Sequence, residues 1–313
     1  MPELAEPHHQ ERVAILLSVF NGEHFLREQL ESLLVQTHRS WQLYWRDDGS
    51  DDRSASLLRA FGAGPGKGRV CEITEPFGRL GAMRGYFTLL VAAPPHSTIA
   101  FSDQDDVWLP EKPERGLSAL AAVPDHVPAL YCARQTLVDA NLTRLGLSAS
   151  FVRPPGFPAA LTQNIVTGCT AMLNRPAASI LVRSLPPSAT LHDWWSYLVV
   201  AAAGGYILLD PEPAILYRQH AGNLVGARPS RLRRALRALR RGPKPFMALL
   251  RQHVASLAAT PELLSPAAQE SLDQIAAALA APPWRRLSAL SLAGFFRQTP
   301  LETALFRVWF LLG

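Results

Sequence analysis

Along the first hundred residues, short apolar runs alternate with stretches in which apolar side chains recur every three or four positions. Val13–Val19 (VAILLSV) is continuously apolar and is broken by Asn21-Gly22, the pattern of a buried strand. Over residues 23–36, Phe25, Leu26, Leu30, Leu33 and Leu34 fall at helical spacing. Residues 41–45 (WQLYW) predict a second strand that stops at Asp47-Asp48-Gly49, and residues 54–61 a helix. Residues 69–74 predict a third strand, 81–92 a helix, and 98–101 a fourth strand ending in SDQDDVWLP. Strands and helices alternating at this spacing predict βαβ units on a parallel sheet, an α/β fold. In open sheets of that kind ligands gather beyond the carboxyl ends of the strands. The polar breaks at residues 18–21, 47–50 and 102–106 all fall at such ends and are candidates for one site.

Further on the pattern predicts a strand over 131–138, a Pro-rich loop over 151–158, and mixed structure over 164–173. It then predicts a helix over 192–203 and two short strands over 206–209 and 214–217. After Asn223 the chain becomes rich in Arg and Ala, with helical stretches broken at Pro229, residues 242–245, Pro261, Pro266 and Pro282-Pro283. A boundary near residue 225 would divide a first domain, 1–225, from a basic helical region, 226–313.

Composition adds limits. With 48% hydrophobic and 18% charged residues the chain can build a core, which argues against disorder. Cys71, Cys132 and Cys169 lie far apart and form neither a metal pattern nor a disulfide framework, which fits a reducing compartment. The first twelve residues hold no apolar core of a signal peptide. The longest apolar stretch, 197–209, is interrupted by Gly204-Gly205 and falls short of the ~20 residues of a helical span. A cytoplasmic protein is therefore expected. The net charge of +5 hides an asymmetry: residues 226–313 carry 13 Lys+Arg against 4 Asp+Glu, and residues 1–225 carry 18 against 22. The basic excess belongs to the tail.

Two segments carry candidate chemistry. Asp103, Asp105 and Asp106 place three carboxylates within four residues of a strand end. Their mutual repulsion would be removed by a hard divalent cation, Mg²⁺ or Mn²⁺, which takes one or two carboxylates and fills its shell with phosphate oxygens and water. The competing reading is a solvated acidic turn with an Asp capping the next helix. Asp47-Asp48-Gly49-Ser50 likewise suits either a base-reading carboxylate or a plain Asx turn.

Taken together, residues 13–37 (VAILLSVFNGEHFLREQLESLLVQT), 41–52 (WQLYWRDDGSDD) and 99–112 (IAFSDQDDVWLPEK) resemble the family 2 inverting glycosyltransferases of the GT-A fold. The resemblance continues through TGCTAML (167–173), LHDWW (191–195) and LYRQHAGNLVG (216–226), and so covers residues 12–226. The last two pieces are most similar to the bacterial rhamnosyltransferase-like branch, whose members build surface polysaccharide. It implies a Rossmann-like, mostly parallel sheet flanked by helices, with the basic tail as a C-terminal helical extension. It also implies a nucleoside-diphosphate sugar as donor, dTDP-rhamnose or a UDP-sugar, and a glycan or lipid-linked acceptor. Ser18 and Phe20 would line the nucleoside pocket, Asp48 would contact the base, and Arg84 would lie near the diphosphate, although Gly85 stands where the family usually has Asn. Asp103 would bind ribose or metal, Asp105 would be the principal metal ligand, and His220 would complete the shell. Asp193 would be the catalytic base. Trp194 and Trp195 would offer the acceptor an apolar face, although adjacent helical residues point about 100° apart, so only one is expected to reach it. The alternative is a non-catalytic nucleotide-sugar-binding protein on a decayed transferase fold.

In the tail, residues 228–241 (RPSRLRRALRALRR) put Leu232, Leu236 and Leu239 on one face with Arg around the rest, a pattern suited to an anionic membrane surface or to packing on the first domain. Residues 301–312 add a second apolar surface. Without a reader motif or interleaved aromatic residues, nucleic acid is not an expected partner.

Overall fold

The computed structural model describes residues 11–76, 78–95, 97–220 and 242–313. Strands β1 (Val13–Val19), β2 (Trp41–Asp47), β3 (Val70–Glu72) and β4 (Thr98–Ser102) pair in parallel in the order β3-β2-β1-β4. β1 lies at the centre, with Leu16 beside Tyr44 on one flank and Phe101 on the other. A strand covered on both faces needs no polar alternation, and every residue of β1 but Ser18 is buried. Between these strands run α1 (Glu23–Leu34), α2 (Ser54–Ala63) and α3 (Ala82–Ala92), the βαβ arrangement anticipated by the apolar spacing.

Past β4 the sheet becomes mixed. β5 (Val107–Trp108), α4 (Lys112–Ala121), β6 (Ala129–Val138) and β7 (Arg144–Leu147) are followed by α5 (Ala159–Thr162), β8 (Met172–Leu173), α6 (Arg175–Arg183), α7 (His192–Ala202) and β9 (Tyr206–Arg218). β8 runs antiparallel between β4 and β6, while β9 runs parallel to β6 over a long ladder. The two short strands expected over 206–209 and 214–217 are one strand. Pro211 and Pro213 interrupt the apolar pattern, but the pairing is carried past them by register shifts between Ala133 and Gln135.

Beyond residue 241 come α8 (Lys244–Ala258), α9 (Pro266–Ala280) and α10 (Pro300–Leu312), joined by short 3₁₀ turns. Of the expected break points, Pro245 and Pro266 stand in the first turns of α8 and α9, a place where the missing N–H costs nothing, Pro261 and Pro283 open 3₁₀ turns, and Pro229 lies outside the described residues. Met247, Leu250, Leu272, Phe306 and Phe310 share one apolar cluster with Trp195, Tyr197 and Leu198 of α7 and with Phe101 of β4. The boundary near 225 and the leucine stripe of residues 228–241 lie outside the described residues. No helix among the described residues is long and apolar enough to cross a membrane.

Candidate active site

The carboxyl ends of β1, β2 and β4 form the floor. Gln104 pins two of them together: its amide accepts from Phe20 N–H at 2.8 Å and donates to Phe20 C=O at 2.9 Å. Ser18 faces Gly85 on α3 so closely that a Cβ there would stand 2.5 Å from Ser18 Oγ. The Gly that departs from the family pattern is thus what lets α3 approach the end of β1. Phe20 is half-buried, and the Arg79 guanidinium lies 4.0 Å from its ring centre.

Asp48 is buried, and its carboxylate is engaged by protein. It accepts from the backbone N–H groups of Leu80 (2.6 Å) and Gly81 (2.9 Å), and the Arg46 guanidinium lies 3.6 Å away. Arg46, also buried, donates to Pro76 C=O at 2.8 Å and to Gly78 C=O. The pair therefore laces the loop before α3 to the end of β2. Any contact of Asp48 with a base would be shared with these two amides. Arg84, by contrast, is exposed on α3 and makes no ion pair among the described residues.

At the end of β4 the acidic turn divides. Asp103 Oδ1 accepts from the Tyr86 hydroxyl at 2.8 Å, and Asp105 Oδ2 stands 2.8 Å from His220 Nε2. Asp106 is fully buried, accepts from Arg218 N–H at 3.1 Å, and its Oδ2 has no hydrogen-bond partner among the described residues. The expected triad of Asp103, Asp105 and His220 is not the set whose ligand atoms lie closest. Those of Asp103, Asp106 and Cys169 lie within 4.8 Å of one another, because Asp106 turns inward while Asp105 turns out toward His220.

Burial, then the charge of Asp105, then that of Asp193 push the Asp103 carboxyl up to about 7, and burial with the charges of Asp105 and Asp103 drives Asp106 well up. More negative charge is gathered here than the surroundings tolerate. Hard oxygen donors in excess fit a divalent cation such as Mg²⁺ or Mn²⁺. The Cys169 thiol, driven well up by burial and by Asp106, stays protonated and is a poor ligand for such an ion. Beneath the turn Lys112 is fully buried, its Nζ 3.2 Å from the Trp108 ring centre and without a hydrogen-bond acceptor among the described residues. Arg218 braces the same turn. Its Nε donates to Asp105 C=O at 2.8 Å, its NH1 donates to Ala140 C=O, and its NH2 pairs with Glu28. It pairs with an acid rather than standing open to a phosphate.

Asp193 sits in the first turn of α7. Its Oδ2 accepts from Gly168 N–H at 3.1 Å and its Oδ1 from Trp194 N–H at 2.6 Å, and the nearby Asn164 side chain favours its charged form. Burial outweighs these bonds and pushes the carboxyl up to about 6. Gly168 is required here, since a Cβ would overlap His192 Nε2 and come within 3.5 Å of Asp193 Cβ. Of the two tryptophans, Trp195 is not available to a ligand. It is 0% exposed and its indole N–H donates to Ser184 Oγ at 2.8 Å, because the buried face of α7 points into the core. Trp194 is half-buried and donates to Ala160 C=O at 2.8 Å. His253 packs beside them: it is buried against both indoles and bonds Thr190 Oγ1 at 2.8 Å.

Sequence reasoning missed the buried bracing residues Arg46, Tyr86 and Lys112. Charged side chains beside the candidate motifs were the only signal that could have found Arg46 and Lys112. Tyr86 carried none.

Residues 14–178, more than half of the chain, match the model of glycosyl transferase family 2. The chain belongs to this family. Over 226 residues the transferase is 26% identical to the dTDP-rhamnosyl transferase RfbG of Shigella flexneri, a match covering 67% of this chain and 74% of that protein. Among solved structures it resembles S. aureus TarS in complex with UDP-GlcNAc, with a TM-score of 0.58 at 14% identity over 88% of this chain and 73% of that one. It also resembles the mannosyltransferase PcManGT of Pyrobaculum calidifontis in complex with GDP-Man and Mn²⁺. There the TM-score is 0.50 at 18% identity, over 97% and 89% of the two chains. The transferase therefore has the GT-A fold, with a curled, mixed sheet in which parallel ladders carry most of the pairing.

Proposed function

We propose that this glycosyltransferase works with inversion, moving a sugar from a metal-bound nucleoside diphosphate to a hydroxyl of a glycan or lipid-linked acceptor. The setting is the synthesis of bacterial surface polysaccharide, at the cytoplasmic face of the membrane. Asp193 carries the reading. A general base must be held in one orientation and be basic enough to take a proton near neutral pH. Two backbone hydrogen bonds orient this carboxylate and burial raises its pKa to about 6. Its charge is felt at Asp103, which places the base near the donor end.

The acceptor hydroxyl gives its proton to Asp193, and its oxygen attacks the anomeric carbon from the side opposite the diphosphate. The bond to the diphosphate breaks, and the diphosphate leaves with the electron pair. Asp105, with Asp103 and His220, would hold Mg²⁺ or Mn²⁺, which when bound neutralises charge on the leaving diphosphate. Ser18 and Phe20 line the nucleoside side, Asp48 shares its carboxylate between the loop and the base, and Arg84 reaches the diphosphate from α3. Trp194 offers the acceptor its ring. The likeness to RfbG supports dTDP-rhamnose as donor, and the TarS complex makes a UDP-sugar the second choice.

The test is release of nucleoside diphosphate by purified protein from dTDP-rhamnose and from UDP-sugars, with Mn²⁺ or with EDTA. Asp193→Asn keeps the size of the side chain but cannot take the proton, and should lower kcat on the order of 10²-fold or more with nucleotide affinity nearly unchanged. Normal turnover by that variant would remove the base. Nucleotide-sugar binding with no diphosphate release under any condition would favour the non-catalytic binder.

A further inference from the structure

Helix α10 is apolar on the side that faces away from the protein. Thr303, Phe306, Trp309 and Phe310 are buried, while Leu301, Val308 and Leu312 are 73%, 49% and 74% exposed. At about 100° per residue the three exposed positions fall on one narrow stripe. Ala304 is exposed beside them, and Arg307 is the one charge at that edge. A helix with apolar side chains on two opposite faces puts the second face inside a protein or against lipid, and 13 residues are too few to span a bilayer.

Next to the stripe a surface pocket of about 480 Å³ is lined by Arg153, Phe296, Pro300, Thr303, Ala304 and Arg307. The Arg153 guanidinium rests 4.6 Å from the Phe296 ring centre and donates from NH1 to Arg297 C=O at 3.1 Å. Its Nε and NH2 make no hydrogen bond among the described residues. Arg297, outside the pocket, is packed inward with its guanidinium 4.7 Å from the Phe246 ring centre, so the pocket's cations are Arg153 and Arg307. The adjoining acid, Glu302, is engaged in the helix cap, where it accepts from Thr299 Oγ1 at 3.0 Å. Guanidiniums beside exposed leucines match a phosphate attached to a hydrocarbon chain: the phosphate lies between the arginines and the chain along the stripe.

We propose that the Arg153/Arg307 pocket and the Leu301/Val308/Leu312 stripe form one site for the phosphate and acyl region of anionic lipid, seating the enzyme on a bilayer. The inference rests on the reading of a transferase working at a membrane surface, and it says which surface does so. The seat is joined to the chemistry by residues 153–164. Arg153 lines the pocket, Ala160 C=O accepts from the Trp194 indole, and Asn164 lies beside Asp193.

The experiment is sedimentation of the full chain with phosphatidylglycerol vesicles, with phosphatidylcholine vesicles as control. The protein should partition onto phosphatidylglycerol and be released by salt. L301S/V308S/L312S should weaken partitioning roughly tenfold or more, and R153Q/R307Q should weaken it and remove most of the salt dependence. Diphosphate release in free solution should be unchanged in both variants, so its absence in the wild type would count against the transferase mechanism and not against the seat. Should the triple variant melt early, Leu312→Ser alone carries the same comparison. Wild-type protein that ignores phosphatidylglycerol, or variants that bind as wild type does, would overturn the proposal. So would a wild-type dimer that the triple variant dissolves, because the stripe would then be covered by a second copy.

Discussion

His220 Nε2 lies 2.8 Å from Asp105 Oδ2, so the residue that follows β9 and its neighbour Gln219 closes onto the acidic turn after β4. Asp105 is the member of that turn that faces outward, and its loss leaves the buried Asp106–Arg218 brace intact. Asp105→Ala should therefore abolish Mn²⁺-dependent nucleotide binding and diphosphate release while Tm stays within a few degrees of wild type. Calorimetric titration of nucleotide with and without Mn²⁺ checks this, and metal-dependent binding that survives would move the ion to the Asp103–Asp106 side.

The Asp193 carboxyl, raised to about 6 by burial, must be ionised to accept a proton. The kcat should fall about tenfold per pH unit below pH 6 and level off above it. The same shift affects stability. The folded state holds this proton more tightly than the unfolded chain, so the group's contribution to folding is full below about pH 4 and is lost as pH rises through 6. The Tm of Asp193→Asn minus that of wild type should accordingly be larger at pH 8 than at pH 5. A difference independent of pH would mean that the carboxyl has an ordinary pKa.

Gly168 touches both His192 and Asp193 and adds an N–H bond to the latter. Gly168→Ala should displace the carboxylate, lowering kcat on the order of tenfold or more while donor KM changes little, since a misplacement near 1 Å is costly. Overpacking should also lower stability by about 1–3 kcal/mol. Unchanged steady-state kinetics would show that the helix start absorbs the methyl group.

The two tryptophans should separate by measurement. Trp195→Ala empties a core site and should cost about 3–5 kcal/mol in urea unfolding, whereas Trp194→Ala should leave more stability and raise acceptor KM. Equal losses of stability without a change in acceptor KM would make both of them packing residues.

How much of this was legible depended on where each residue's partners lie along the chain. β1, β2 and β4 were readable because strands buried on both faces are written as continuous apolar runs, and their polar breaks mark the site. α4 was not readable: Gly116 interrupts its pattern, and the structure needs it there because a Cβ would overlap Met172 Sδ. The partners of Arg218 are not legible, since Glu28 and Ala140, which decide them, are far away in sequence. Asp48 reads as a base contact by motif, yet the Leu80 and Gly81 amides that occupy it come from a loop with no motif of its own.

The apolar cluster that joins α7 to α8, α9 and α10 has a consequence for building chimeras. Exchanging the C-terminal helices between relatives to change the acceptor would cut through packing made by Trp195, Tyr197 and Leu198 on the helix that also carries Asp193. A graft at residue 225 should therefore yield aggregates even when both parents express well. The exchangeable unit is larger: α7 must travel with the helices that cover it, and the recipient keeps only the donor half of the sheet.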